Sequence, residues 1–199
     1  MKVIGLTGNI ASGKSVVSYF LKQLGAKVID MDKIGKHIQE CNYKGIVEKV
    51  RKEFGDSYIE NGKINRKKLG NAVFSNREQL KRLNELMVPL MTEKLVEILD
   101  QYREMDVDVV VIDAAILFEA EWDRFTDEVW VVKVPEDIQL KRLKERENIT
   151  TEEALMRIDA QMDIAEKIKR ANVVIDNSKN LESVRLKVVE LWEKLKNST

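Results

Sequence analysis

Gly8-Asn9-Ile10-Ala11-Ser12-Gly13-Lys14-Ser15 is the stretch on which the fold turns. It fits the pattern G-x-x-x-x-G-K-[ST], in which glycines let the backbone curl until successive N–H groups point inward at phosphate oxygens. Gly8, Ala11, Ser12, Gly13, Lys14, Ser15 and Val16 are the residues expected to line a bound nucleoside triphosphate. Lys14 is placed to reach the β- and γ-phosphates, and the Ser15 hydroxyl to hold Mg²⁺. A chance match is expected in roughly one random chain of this length per hundred. The flanks make chance a poorer account still. A β-branched run, Val3 to Thr7, precedes the loop, and an apolar-periodic segment, Ser15 to Leu24, follows it and stops at Gly25. Such a loop needs a strand before it and a helix after it, whose N-terminal dipole adds positive potential.

Four more β-branched runs lie downstream: Lys27 to Asp30, Val107 to Asp113, Glu128 to Val134 and Val173 to Asp176. Helical patterns separate them, so the fold class is α/β: a three-layer sandwich with a five-stranded parallel sheet. Between the second and third runs roughly 75 residues intervene, where a crossover needs about a dozen. That excess predicts an inserted helical lobe over 33–105, the natural seat of an acceptor substrate. Within it Arg77 to Met87 and Leu90 to Met105 read as amphipathic helices broken at Pro89, and Asn61-Gly62 signals a tight turn. The charged segment Pro135 to Arg170 reads as two helices parted near Asn148-Ile149. Thr150 and Glu153 form a capping box for the second. The expected organisation is a core of 1–32, 106–135 and 171–199, the lobe, and a helical lid over 136–170.

Composition narrows the chemistry. The chain has 199 residues, 44% hydrophobic and 34% charged, which describes a globular protein with one good core. Lysine plus arginine equals aspartate plus glutamate at 34 each, so net charge makes no case for nucleic acid. A single cysteine, Cys41, excludes an intrachain disulfide and a thiolate zinc site. The first apolar stretch is too short for a signal peptide and no run is long enough to span a membrane, so the expected location is cytoplasmic.

Ligands of open parallel sheets gather at the carboxyl ends of the strands. The second run ends in Asp30-Met31-Asp32 and the third in Asp113. Asp32 reads either as a carboxylate that orients an acceptor hydroxyl toward the γ-phosphate or as the N-cap of the helix after it. Asp113 reads as a support for Mg²⁺ or as a strand-end cap. Asp30 reads as a supporting residue. Arg142 and Arg146 share a helical face, with Arg157 past the break; they could form a phosphate clamp, but Lys141, Lys144, Glu145 and Glu147 around them favour a solvated surface. His37 has no partner motif, and Trp122, Trp130 and Trp192 are scattered as core residues are.

Taken in order, these residues resemble the dephospho-coenzyme A kinases over most of the chain. Ile4 to Ser15 looks like that family's opening, Val28-Ile29-Asp30-Met31-Asp32 its acceptor-side aspartate segment, and Ile64-Asn65-Arg66 with Leu69-Gly70 and Val73-Phe74 its next block. Leu117-Phe118-Glu119, Arg142-Leu143 with Arg146, Glu152 to Gln161, and Val174 to Asn177 follow the same pattern. Ala11, Val16, Asn65, Val88 and Ala115 depart from it. The resemblance implies transfer of the ATP γ-phosphoryl group to the ribose 3′-hydroxyl of dephospho-coenzyme A, with Mg²⁺. It makes Asp32 and Lys14 catalytic, Asp32, Arg66, Phe118 and Glu119 acceptor contacts, Arg142 and Arg146 lid residues at ATP, and Ser15 and Asp113 metal ligands. The competing readings are another P-loop kinase with a nucleotide or nucleoside acceptor, or a nucleotide switch without one. A switch reading guanine through Asn-Lys-x-Asp is not supported, because that motif is missing.

Overall fold

The five β-branched runs become the five strands of one parallel sheet in the computed structural model, which describes residues 1–197. In chain order the elements are β1 (Lys2–Thr7), α1 (Lys14–Gln23), β2 (Lys27–Asp30), α2 (Met31–Glu40), α3 (Ile46–Phe54), β3 (Ile59–Glu60), β4 (Lys63–Ile64), α4 (Arg66–Phe74), α5 (Arg77–Glu104), β5 (Val109–Asp113), β6 (Glu128–Lys133), α6 (Glu136–Glu147), α7 (Thr151–Asp159), α8 (Ile164–Arg170), β7 (Val173–Asp176) and α9 (Leu181–Asn197). The described chain falls into two compact units, residues 1–29 with 102–197, and Asp30–Gln101. The second unit stands beside an expected lobe of 33–105; α5 runs on past its end. The last two residues of the expected 171–199 portion lie outside the described ones.

In the first unit the sheet order is β2-β5-β1-β6-β7. β1 is central because it is apolar on both faces: Ile4 pairs with Val111 on one side, and Leu6 with Trp130 on the other. Ile4, Leu6, Val109, Val111, Trp130, Val132 and Ile175 pack on one face with Val17 and Leu21 of α1 and Val184, Val188 and Leu191 of α9. On the other face Gly5 leaves room for Leu117, whose Cδ2 would lie 2.7 Å from a Cβ added there. Trp122 and Trp130 are both buried, as their scatter suggested. Among the described residues no helix is long and apolar enough to cross a membrane.

The expected pair of helices over 135–170 is instead three. The break at Asn148 (φ 52°) stands, and Thr150 and Glu153 exchange both bonds of the capping box. A second break follows α7, because Asp163 turns its carboxylate onto Ala165 N–H at 2.7 Å and starts α8.

The second unit is built on α2, α3, a hairpin, α4 and most of α5. Asn61 (φ 50°) and Gly62 (φ 75°) make the two-residue turn between β3 and β4, both left-handed as a type I′ turn requires. The expected break at Pro89 does not occur: α5 runs unbroken for 28 residues. Proline in a helix costs about 3 kcal/mol. Burying Met87, Leu90, Met91, Leu95 and Leu99 along the same face returns about 1.5–3 kcal/mol for each side chain. Burial wins.

Candidate active site

The strand, loop and helix predicted around Gly8 to Ser15 are present, and the glycines are sterically required. Gly8 holds φ 146° and Gly13 φ 86°. A Cβ on Gly8 would lie 2.2 Å from the Val132 carbonyl oxygen, and one on Gly13 1.9 Å from Asn177 Nδ2. Ala11 also sits in left-handed backbone, φ 61°, at a cost of about 1–2 kcal/mol, which is why glycine is the commoner choice there. Helix α1 opens at Lys14 with no side chain capping it, which leaves its N-terminal end open to an anion, although the Val16 N–H is given to the Gly13 carbonyl at 3.0 Å. Asn9 Oδ1 and Ser12 Oγ are buried in the loop without a protein partner, as atoms awaiting a ligand would be.

Distant side chains hold the loop's shape. The Ile10 N–H donates to Gln161 Oε1 at 2.7 Å, and Gln139 Nε2 donates to the Ile10 carbonyl at 2.9 Å. Asn177 Nδ2 donates to the Ser12 carbonyl at 2.8 Å, and Arg142 Nη2 to the Asn177 carbonyl at 3.1 Å. Arg142 Nη1 would lie 3.7 Å from a Cβ on Gly13. Arg142 therefore lies against the phosphate loop. Arg146 instead turns outward onto Glu147 at 2.9 Å, and Arg157 reaches the same carboxylate at 3.7 Å.

Asp113 ends β5 in register with Leu6, two residues before Gly8. Its half-buried carboxylate stands at the carboxyl edge of the sheet. Ser15 is exposed in the first turn of α1.

Phe118 is buried, with the Arg170 guanidinium 4.1 Å from its ring centre. Glu119 Oε1 accepts from Lys167 Nζ at 2.9 Å and from Met162 N–H at 3.0 Å. Lys167 was missed in the sequence. It is fully buried and donates a second bond, 2.7 Å, to the Ala115 carbonyl, which also accepts from Thr7 Oγ1 at 3.3 Å. Burial pushes the Lys167 ammonium below its ordinary pKa, opposed by the Glu119 carboxylate and assisted by the nearby charge of Lys14. A signal did exist: Lys167 sits at the apolar spacing of Ile164 and Ile168 on α8. Ala115 works through its carbonyl, which the family's usual proline also has, so this departure leaves the network intact.

In the second unit Asp30, not Asp32, caps α2, its Oδ1 accepting from Lys33 N–H at 3.0 Å. Asp32 is exposed in the first turn of that helix. Since Met31 already begins the helix, Asp30 and Asp32 do not share a face as they would in a strand. Asn65 caps α4 through Lys68 N–H at 3.0 Å, a task Asn and Asp perform equally. Arg66 follows it, exposed, and lines a cleft of about 440 Å³ with Gln39, Glu40, Lys63 and Ile64. His37 is exposed in the last turn of α2.

The dephospho-CoA kinase family model matches residues 2–183. This chain belongs to the dephospho-CoA kinase family. The dephospho-CoA kinase of Carboxydothermus hydrogenoformans is 43% identical over 98% of this chain and 95% of its own. The solved dephospho-CoA kinase from Campylobacter jejuni superposes with a TM-score of 0.71 at 29% identity, covering all of both chains. A shikimate kinase from Bacteroides thetaiotaomicron shares the fold, with a TM-score of 0.54 at 19% identity over 96% of this chain and 98% of that one.

Proposed function

We propose that this chain transfers the γ-phosphoryl group of ATP to the ribose 3′-hydroxyl of dephospho-CoA. Family membership and the phosphate loop together carry this reading, since a loop curled at Gly8, Ala11 and Gly13 suits a triphosphate. The attacking hydroxyl oxygen bonds to the γ-phosphorus while the bond from that phosphorus to the β-bridging oxygen breaks. ADP departs with the charge of that oxygen. Such a transfer asks for positioning and charge neutralisation more than covalent chemistry.

Lys14 balances charge developing between the β- and γ-phosphates. The carboxylate of Asp32 accepts the hydrogen bond of the attacking hydroxyl and then its proton. Gly8, Ala11, Ser12, Gly13, Ser15 and Val16 bind ATP as the residues lining the loop, and Arg142 contributes from α6. Arg146 joins them only by leaving Glu147. Arg66 and the cleft around it serve the acceptor's own phosphates, in a lobe spanning 33–105, while 136–170 acts as the lid. Phe118 and Glu119 reach the acceptor site through the loop after β5.

Mg²⁺ suits the residues present. It takes hard oxygen donors, usually one or two carboxylates beside substrate phosphates, and Ser15 Oγ with the Asp113 carboxylate supply them. When bound, it screens the charge shared between β- and γ-oxygens. The working place of the enzyme is the cytoplasm.

The test is turnover with and without acceptor. ADP release should depend on dephospho-CoA, and phosphate should appear on its 3′-oxygen. Release at the same rate without any acceptor would defeat the reading in favour of a switch. Faster turnover with a nucleoside would reassign the acceptor.

A further inference from the structure

A phosphate cradle works only if its carbonyl oxygens are turned away from the anion. In this loop two of them are tied back by side chains from remote elements: the Ile10 carbonyl by Gln139 of α6, and the Ser12 carbonyl by Asn177 after β7. Ile10 is gripped on both sides of its Cα, since its N–H is taken by Gln161. The carboxamide orientations are forced: a backbone N–H needs the side-chain oxygen, and a backbone carbonyl needs the side-chain nitrogen. Gln139 is almost wholly buried, 5% exposed, so water does not stand ready to replace it.

The two glutamines stand on opposite sides of the break at Asn148, one on α6 and one between α7 and α8. Both converge on one residue of the loop. Gln139 also lies three residues before Arg142 on α6, so the two side chains share a face. Seating Gln139 on Ile10 therefore sets where Arg142 falls, and Arg142 reaches the Asn177 carbonyl beside Gly13.

We propose that Gln139 and Gln161 are positioning residues for the nucleotide: they clamp the backbone of Ile10 on both sides of its Cα so that the loop's N–H groups face the phosphates, and they register the Arg142 helix over the loop. Neither glutamine needs to touch the substrate to do this. The clamp presupposes the ATP-binding role assigned above to the loop.

The experiment compares Gln139→Leu, Gln161→Leu and the double variant with wild type. The readouts are KM for ATP, KM for dephospho-CoA, kcat, ADP affinity by titration calorimetry, and Tm. Each single variant should raise the ATP KM and the ADP Kd about tenfold or more, because one buried polar partner is left unmade. The acceptor KM should stay within about twofold. Because both side chains hold one residue, the double variant should be little worse than the worse single one. Hydrogen exchange at the Ile10 amide should quicken in Gln161→Leu.

A lowered Tm with nucleotide affinity within twofold of wild type overturns the proposal, for the glutamines then only stabilise the fold. Equal rises in both KM values overturn it too. Should Gln139→Leu fail to fold, the half-exposed Gln161 carries the same test by itself. If wild type binds ADP tightly yet does not phosphorylate dephospho-CoA, the acceptor assignment fails, and the calorimetric arm still decides the clamp.

Discussion

The phosphate loop and the residues proposed for the acceptor, Asp32 and Arg66, are held in opposite ways. Around the loop the decisive side-chain bonds join residues 129, 151 and 165 positions apart. Around Asp32 and Arg66 the caps span three: Asp30 to Lys33, and Asn65 to Lys68. The loop's backbone is pinned by a whole folded unit before any ligand arrives, whereas Asp32 and Arg66 stand exposed on first helical turns. Preorganisation stabilises a transition state because nothing has to be ordered during the reaction. Exposed side chains lose rotamer freedom on binding instead. Damage on the loop side should accordingly spread into fold and affinity together, and damage on the acceptor side should stay confined to one kinetic constant.

The sharpest challenge to that contrast is Asp32→Asn. Turnover should fall by about two to four orders of magnitude, with ATP affinity and Tm close to wild type. Activity within a few-fold of wild type would reduce Asp32 to an ordinary first-turn acid of α2. Gly13→Ala should do the reverse and disturb both measures. The added methyl meets Asn177 and forces φ 86° on a residue with a side chain, so ADP affinity should drop more than tenfold and Tm with it. Unchanged ADP binding would show that the loop is far softer than its bonds imply. Arg66→Ala is the milder acceptor-side case, with the dephospho-CoA KM up about tenfold, the loss of one charged hydrogen bond, and the ATP KM and Tm unmoved.

The smallest effect concerns Lys167. Its folded pKa lies below the ordinary lysine value of 10.5. Between the two values the unfolded chain binds more protons than the folded one, so stability rises with pH across that interval. Urea titrations of wild type and Lys167→Met at rising alkaline pH should therefore show wild type gaining ground on the variant as pH approaches 10.5. A constant difference would mean that Lys167 is not desolvated.

How much of this could be read from the residues alone follows the same division. Local rules were enough for the strands, the loop, the Asn61-Gly62 turn and the Thr150–Glu153 box, because each is a few residues satisfying one another. The break before α8 had a signal of the same sort, Asp163 with Glu166 three residues on, a cap-like spacing easily passed over. Pro89 misled because a local penalty was outweighed by the burial of five side chains, which no local rule records. The cap of α2 fell on Asp30 rather than Asp32 because the strand gives way to helix two residues earlier than a cap at Asp32 would require. Gln139 and Gln161 stayed illegible as partners of the phosphate loop, and Lys167 as the partner of Glu119 and Ala115: a glutamine in a charged helix looks like surface until the chain folds back on residue 10. The part of the site that depends on folding back is the part the residues conceal.

The central place of β1 also carries a consequence in time. Its two neighbours begin at Val109 and Glu128. A nascent chain one hundred residues long holds β1 and the phosphate loop but neither flanking strand. At about 5–20 residues per second of synthesis, the wait from Thr7 to Val109 is roughly 5–20 seconds. The phosphate loop is thus made well before the two strands that flank β1, and it gains their support only once the chain has been extended past Glu128.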